Sequence, residues 1–138
     1  MDNIDLTDVI QSSRVIVRSG RYAYLKTQTE TVSTRHFLIA RDKDEITIVT
    51  EEENIPQTSF EKEVGWFNLI EVRVSQPFVA KGFISRITQA ISERDLNVLV
   101  VSTFSKDYFL VREECIDTAI TALRELGFPL SIEKSRKA

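Results

Sequence analysis

A single cysteine, Cys115, leaves the chain without a partner for an intramolecular disulfide, which points to a reducing compartment. His36 is the only histidine and stands in the other half of the sequence, with no nucleophile motif around either residue. A lone histidine is far more often a hydrogen-bonded structural residue than a base or ligand. No P-loop, no G-x-G-x-x-G and no Cys/His metal spacing occurs. No apolar run approaches the roughly 18 residues that span a bilayer. Basic residues cluster only at Lys134, Arg136 and Lys137, while the whole chain carries −3. Phosphate and anionic lipid demand clustered Lys and Arg, so neither nucleic acid nor membrane is an expected partner. The opening Met-Asp-Asn-Ile-Asp is acidic and lacks the basic-then-apolar layout of a signal peptide. A cytoplasmic protein without catalytic machinery, cofactor or metal is therefore expected.

Hydrophobic residues at 42% and charged residues at 28% of 138 positions describe a globular chain, one domain or two small halves. Leu6, Val9 and Ile10 suit one helical turn behind Asp5 or Thr7 as cap. Arg14–Arg18 and Tyr22–Leu25 read as strands, and Thr27–Arg35 as a loop or edge strand. Phe37–Ala40 and Ile46–Val49 flank the polar turn Asp42-Lys43-Asp44 as a hairpin. From Trp66 to Val74, Ile70, Val72 and Val74 alternate with Glu71 and Arg73, which predicts a strand with one solvent face. Pro77 ends that pattern in a loop running to Gly82.

The stripe Phe83, Ile84, Ile87, Ala90, Ile91 predicts a helix over 83–94. Val98–Val101 is an uninterrupted apolar run, expected as a central strand, and Tyr108–Val111 returns after the turn 104–107. Glu113 and Glu114 suit the positive end of a second helix with stripe Ile116, Ala119, Ile120, Leu123. Gly127 stands at its left-handed cap position, Pro129 follows, and Leu130–Ile132 is a last strand. Strand, helix, strand, strand, helix, strand is the ferredoxin-like order, an α+β fold.

Phe37–Glu52 also aligns without a gap over Leu99–Glu114, at an offset of 62, both segments ending in V-x-E-E. The alignment predicts an internal repeat whose first copy has lost its first helix. The expected organisation is a degenerate N-terminal lobe at 1–62, a complete domain at 63–133 and a disordered basic tail at 134–138.

Two segments carry a family resemblance: Gly82-Phe-Ile-Ser-Arg-Ile-Thr-Gln-Ala-Ile-Ser-Glu93 and Val100-Val-Ser-Thr-Phe-Ser-Lys-Asp-Tyr-Phe-Leu-Val-Arg-Glu-Glu114. They resemble the ACT family of small regulatory domains. In detail they look like the ACT pairs of aspartate kinase regulatory regions and of CASTOR-type amino-acid sensors. The resemblance covers about 66–132 and is weaker over 14–60. The loop Ser75–Lys81 departs from the usual Pro-Gly form. The resemblance implies a regulatory protein that binds an amino acid or similar small effector between paired domains, forms a homodimer, and passes occupancy to a regulated enzyme.

The residues offer a physical counterpart. The loop from Ser75 opens onto a helix N-terminus, where free N–H groups and the dipole suit a carboxylate, and Gly82 permits close approach of backbone. Ser102 and Thr103 offer hydroxyls, and Asp107 a carboxylate for an ammonium or guanidinium. The candidate ligand-binding set is Ser75, Gln76, Gly82, Phe83, Ile84, Ser102, Thr103 and Asp107. The competing reading leaves Gly82 as a helix start and Asp107 as a turn residue, in an interaction or scaffold module of the same fold with no ligand. Phe104, Tyr108 and Phe109 invite RNA stacking, but the basic-glycine-aromatic run of such modules is missing. The acidic groups Asp42/Asp44/Glu45 and Glu51-Glu52-Glu53 are accounted for by turn and helix-start roles, without the spacing of a Ca²⁺ loop.

Overall fold

The computed structural model describes residues 5–30 and 33–135. The chain divides into two compact units, Met1–Ser19 with Asn68–Ala138, and Gly20–Phe67. This division departs from the expected boundary at 62/63. The N-terminal helix and first strand are part of the larger unit, because strand pairing is decided by distant partners that a local pattern such as Arg14-Val-Ile-Val does not disclose.

In the larger unit, helix α1 (Leu6–Ser12) starts at Asp5, whose carboxylate accepts the Thr7 N–H at 2.9 Å. Strand β1 (Arg14–Val17) follows. The remainder is the C-terminal half of β5 (Lys62–Arg73), helix α2 (Phe83–Ser92), β6 (Leu99–Ser102), β7 (Lys106–Arg112), a 3-10 turn (Glu113–Cys115), helix α3 (Ile116–Leu126) and β8 (Leu130–Ile132). From β5 onward this is the ferredoxin-like order, as expected. One strand is added to it: β1 pairs antiparallel with β5 and parallel with β8, and so stands between them. β7 pairs with both β5 and β6.

The core is built from the apolar stripes. Phe83, Ile87 and Ile91 of α2 and Ala119 and Leu123 of α3 pack with Val15, Ile70, Val72, Phe109 and Val111 of the strands and with Val9, Ile10 and Phe128. Full burial of each large side chain contributes about 1.5–3 kcal/mol. Gly127 ends α3 at φ 105°, a left-handed conformation that selects glycine.

Two expectations about the strands change. The Val98–Val101 run is not central, since β6 pairs only with β7 and Val100 is 39% exposed. Two-sided burial falls instead on Phe109, Leu110 and Val111 of β7, which has a neighbour on each side. Nor does Glu71 see solvent: it is 2% exposed. Its carboxylate lies 3.3 Å from Arg18 Nε and 2.8 Å from Arg73 Nε, and the Tyr108 side chain hydrogen-bonds to it. The alternating pattern assigned Glu71 to the correct face. What it could not show is that two arginines and a tyrosine on that face would enclose the charge.

The smaller unit consists of β2 (Tyr22–Thr27), β3 (Leu38–Arg41), β4 (Ile46–Glu51), a 3-10 turn (Glu52–Gln57) and the first half of β5. Its strand order is β3-β4-β2-β5. Ala23, Leu25, Ile46 and Ile48 form its core, joined by Ile39, Ile55 and Trp66. Among the described residues no α-helix occurs in this unit.

The two hairpins correspond, but not at the offset the sequence suggests. Arg41↔Ile46 closes one four-residue turn and Ser102↔Asp107 the other, and Glu52 and Glu113 open the following 3-10 turns. All three landmarks stand 61 residues apart, not 62. The buried runs Ile48-Val49-Thr50 and Phe109-Leu110-Val111 match at the same 61. A one-residue slip would turn every strand side chain to the opposite face.

Asp42 shapes its own turn, its carboxylate accepting the N–H groups of Asp44 and Glu45 at 2.9 and 3.0 Å. Glu51 accepts the Tyr22 hydroxyl, Glu52 pairs with Arg21, and Glu45 lies 3.6 Å from Lys26. Among the described residues no acidic, His or Cys cluster is arranged to hold a metal ion. Arg136 and Lys137 of the expected tail, and the acidic start as far as residue 4, lie outside the described residues.

Candidate functional site

The larger unit contains a cleft of about 230 Å³ where the 75–82 loop meets the β6–β7 turn. It is lined by Val74, Pro77, Phe78, Ala80, Phe83 and Ile84 on one side and by Ser102, Thr103, Phe104, Lys106 and Asp107 on the other. At about 30 Å³ per water, this holds roughly eight waters, space enough for a metabolite the size of an amino acid.

Local structure places each wall. The chain leaves β5 after Arg73, and Pro77, without an N–H for a ladder bond, keeps the following segment from rejoining the sheet. The loop is then pinned to the end of α1. The Ser75 N–H donates to Ser13 Oγ at 3.0 Å, and the hydroxyls of Ser12 and Ser75 are 2.8 Å apart. Ser13 in turn donates to the Val9 carbonyl at 2.6 Å. Gly82 takes φ 82° as the residue before α2 and brings no capping side chain, and no acidic residue occupies the first turn. The positive end of the α2 dipole therefore meets the cleft wall unneutralised by a carboxylate of its own turn. Ile84, expected in the apolar stripe of α2, is instead 36% exposed and faces the cleft.

The opposite wall is the β6–β7 turn. Thr103 N–H donates to the Lys106 carbonyl at 2.8 Å, and the Thr103 hydroxyl reaches the same oxygen at 3.2 Å. Ser102 donates its hydroxyl to Asp107 Oδ1 at 2.7 Å, which fixes the carboxylate and leaves Oδ2 open. Asp107 thus brings a carboxylate to the cleft; Lys106 also borders it, but as consecutive residues of β7 the two side chains leave the strand on opposite faces. The carboxylate suits an ammonium, and the N-terminal end of α2 suits a carboxylate.

Of the eight residues singled out in the sequence, Phe83, Ile84, Ser102, Thr103 and Asp107 come together here. Ser75 does not line the cleft, because its hydroxyl and N–H are used to fasten the loop to α1. Gln76 and Gly82 are exposed outside the lining. Gly82 serves the backbone turn rather than a close approach. Sequence reasoning missed Phe78, which lies in a loop with no periodicity, and passed over Lys106. Phe104 was weighed only as a stacking or packing residue. The available signal was an aromatic at each of two polar loop tips. Phe78 and Phe104 are 78% and 79% exposed, and their rings meet edge to face at 5.1 Å.

The other residues weighed as chemical are structural. His36 Nδ1 lies 2.9 Å from Thr50 Oγ1, and burial lowers its pKa. Cys115 is a half-buried free thiol at the end of a 3-10 turn. Phe109 is core, and Tyr108 is half-buried beside Glu71, its pKa raised by burial and then by that charge. No helix of the described residues is long and apolar enough to cross a membrane.

Comparison with known proteins places this geometry in a context. Residues 66–125 match the ACT domain family. A search of curated proteins returns no match. Among solved structures, a protein from Agrobacterium tumefaciens is similar at TM-score 0.77 and 21% identity, over 91% of this chain and 97% of that one. A protein of unknown function from Vibrio cholerae, described as a possible transport protein, reaches 0.76 at 22% identity, over 88% and 95%. The regulatory subunit of aspartate kinase from Thermus flavus reaches 0.63 at 6% identity, over 86% and 98%. At these identities the structural likeness speaks for the fold alone.

Proposed function

We propose that this chain, whose residues 66–125 match the ACT domain family, is a regulatory sensor that binds an amino acid or related zwitterion in the cleft between the 75–82 loop and the β6–β7 turn. The observation that carries this reading is the Asp107 carboxylate, oriented by Ser102, in a cleft of amino-acid size that also meets the start of α2. In this reading the ligand's ammonium meets Asp107 and its carboxylate meets the N-terminal end of α2. Ser102 and Asp107 form the hydroxyl–carboxylate contact of the cleft, with no histidine or lysine between them to complete a catalytic relay, and in this reading the protein acts by occupancy rather than by turnover. Assembly as a homodimer and control of an enzyme in the cytoplasm belong to the same proposal. The edge of β6 away from β7 is the open strand edge on the cleft side of the unit.

The test is a thermal-shift screen of the purified chain against the common amino acids. A ligand at 100 times its Kd adds about 2.7 kcal/mol of stability and raises Tm by several degrees. Asp107→Ala should abolish the shift with the oligomer intact. A flat response across the panel sinks the proposal. The second reading, a ligand-free interaction module, rests on the exposed apolar residues Phe78, Val79 and Phe104. It predicts that Asp107→Ala costs only a protein partner or the dimer, with no small-molecule binding to lose.

A further inference from the structure

Phe78 stands where neither burial nor backbone preference selects a phenylalanine. Its φ of 70° is in the left-handed region, which costs a non-glycine residue about 1–2 kcal/mol. Its ring is 78% exposed, so little burial offsets that cost. The strained backbone holds the ring over the cleft against Phe104, which projects from the β6–β7 turn on the other wall. Strain of this kind persists where the surroundings over-determine it, and ligand clamps are one such place. Beneath the rings the wall continues apolar through Val74, Pro77, Ala80 and Ile84.

We infer that Phe78 and Phe104 form an aromatic clamp that selects ligands with an uncharged, apolar side chain. The inference rests on the cleft being the ligand site and adds what that site prefers. The Asp107 carboxylate is engaged by the ligand's ammonium. A charged ligand side chain would have to leave water against the two rings and the apolar wall, which offer it no counter-charge. A phenyl or branched aliphatic group meets only the two rings and the apolar wall, where its removal from water is favourable.

Isothermal titration calorimetry on the full chain, with phenylalanine, leucine, alanine, lysine, arginine and glutamate as probes, tests this. Phenylalanine and leucine should bind at least about tenfold more tightly than alanine, and the charged probes more weakly than leucine. Phe78→Ala and Phe104→Ala should each reduce phenylalanine affinity severalfold and alanine affinity by clearly less, so that the preference collapses. Both rings are exposed, so folding should survive, which circular dichroism verifies. Binding that Asp107→Ala abolishes, but whose preference both Phe variants leave intact, overturns the clamp and keeps the site. Tighter binding of arginine or lysine than of leucine overturns it as well. Loss of self-association in Phe104→Ala with amino-acid affinity unchanged assigns the rings to a protein interface instead. Absence of binding by every probe removes both the site and the clamp.

Discussion

Glu71→Gln probes the one fully enclosed carboxylate of the larger unit. The substitution keeps the shape of the side chain and removes its charge, leaving Arg18 at 3.3 Å and Arg73 at 2.8 Å without their anion and the Tyr108 side chain without a carboxylate. Breaking a buried ion pair by removing one partner costs about 3–5 kcal/mol. That figure is an upper bound, since the arginine side chains are 34% and 47% exposed and recover part of their hydration. Arg18 also keeps Glu133, whose carboxylate lies 2.5 Å from its Nη1. A loss of about 1.5–3 kcal/mol follows, which for a chain of this length lowers Tm by roughly 4–10 °C. Urea titration at fixed pH with unchanged m reads it directly. A Glu71→Gln variant within about 0.5 kcal/mol of the parent would show that the arginines are held by solvent and Glu133 alone, and would refute the argument.

Three further outcomes follow from local geometry. Gly127→Ala should cost about 1–2 kcal/mol by strain rather than collision, because an added Cβ meets only Gln11 and Ile10 atoms at 3.9 Å while φ is 105°; chemical denaturation measures it, and a neutral result refutes it. Burial lowers the His36 pKa, so the neutral ring is the form the fold favours. Its contribution is complete above the unfolded value near 6.5 and is lost as pH falls from there through the lowered folded value, and His36→Gln should flatten stability across that window. Ser102→Ala should weaken ligand binding severalfold with little change in Tm, since it frees the Asp107 carboxylate without touching the core; unchanged affinity by calorimetry would remove the orienting role.

How much of this was legible in the sequence depends on the range of the interaction. A helix cap at Asp5 or Thr7, of which the structure uses Asp5, Gly127 as a left-handed stop and the two stripes of the larger unit's core are local, and the chain carries them in short stretches. Partner choice is not local. An apolar run such as Val98–Val101 is as compatible with an edge as with a centre, and Arg14–Val17 says nothing about lying between β5 and β8. The hairpin comparison shows the limit most clearly. Similarity of residue type favoured an offset of 62, whereas turn closure, 3-10 starts and burial all agree on 61. Two alternating patterns can match while the pleat disagrees, and only pairing decides.

The cleft follows the same division. Ser102, Thr103 and Asp107 announced themselves as polar turn chemistry. Phe78 and Phe104 did not, because an aromatic side chain in a loop is assigned to packing until exposure shows otherwise. Loop residues carry function more often than core residues do. The informative fact about these two is their cost, a left-handed phenylalanine and two solvated rings. Within the described fold that cost is offset only by the rings' edge-to-face contact, and a ligand's apolar group packed beneath the pair would add the burial that is missing.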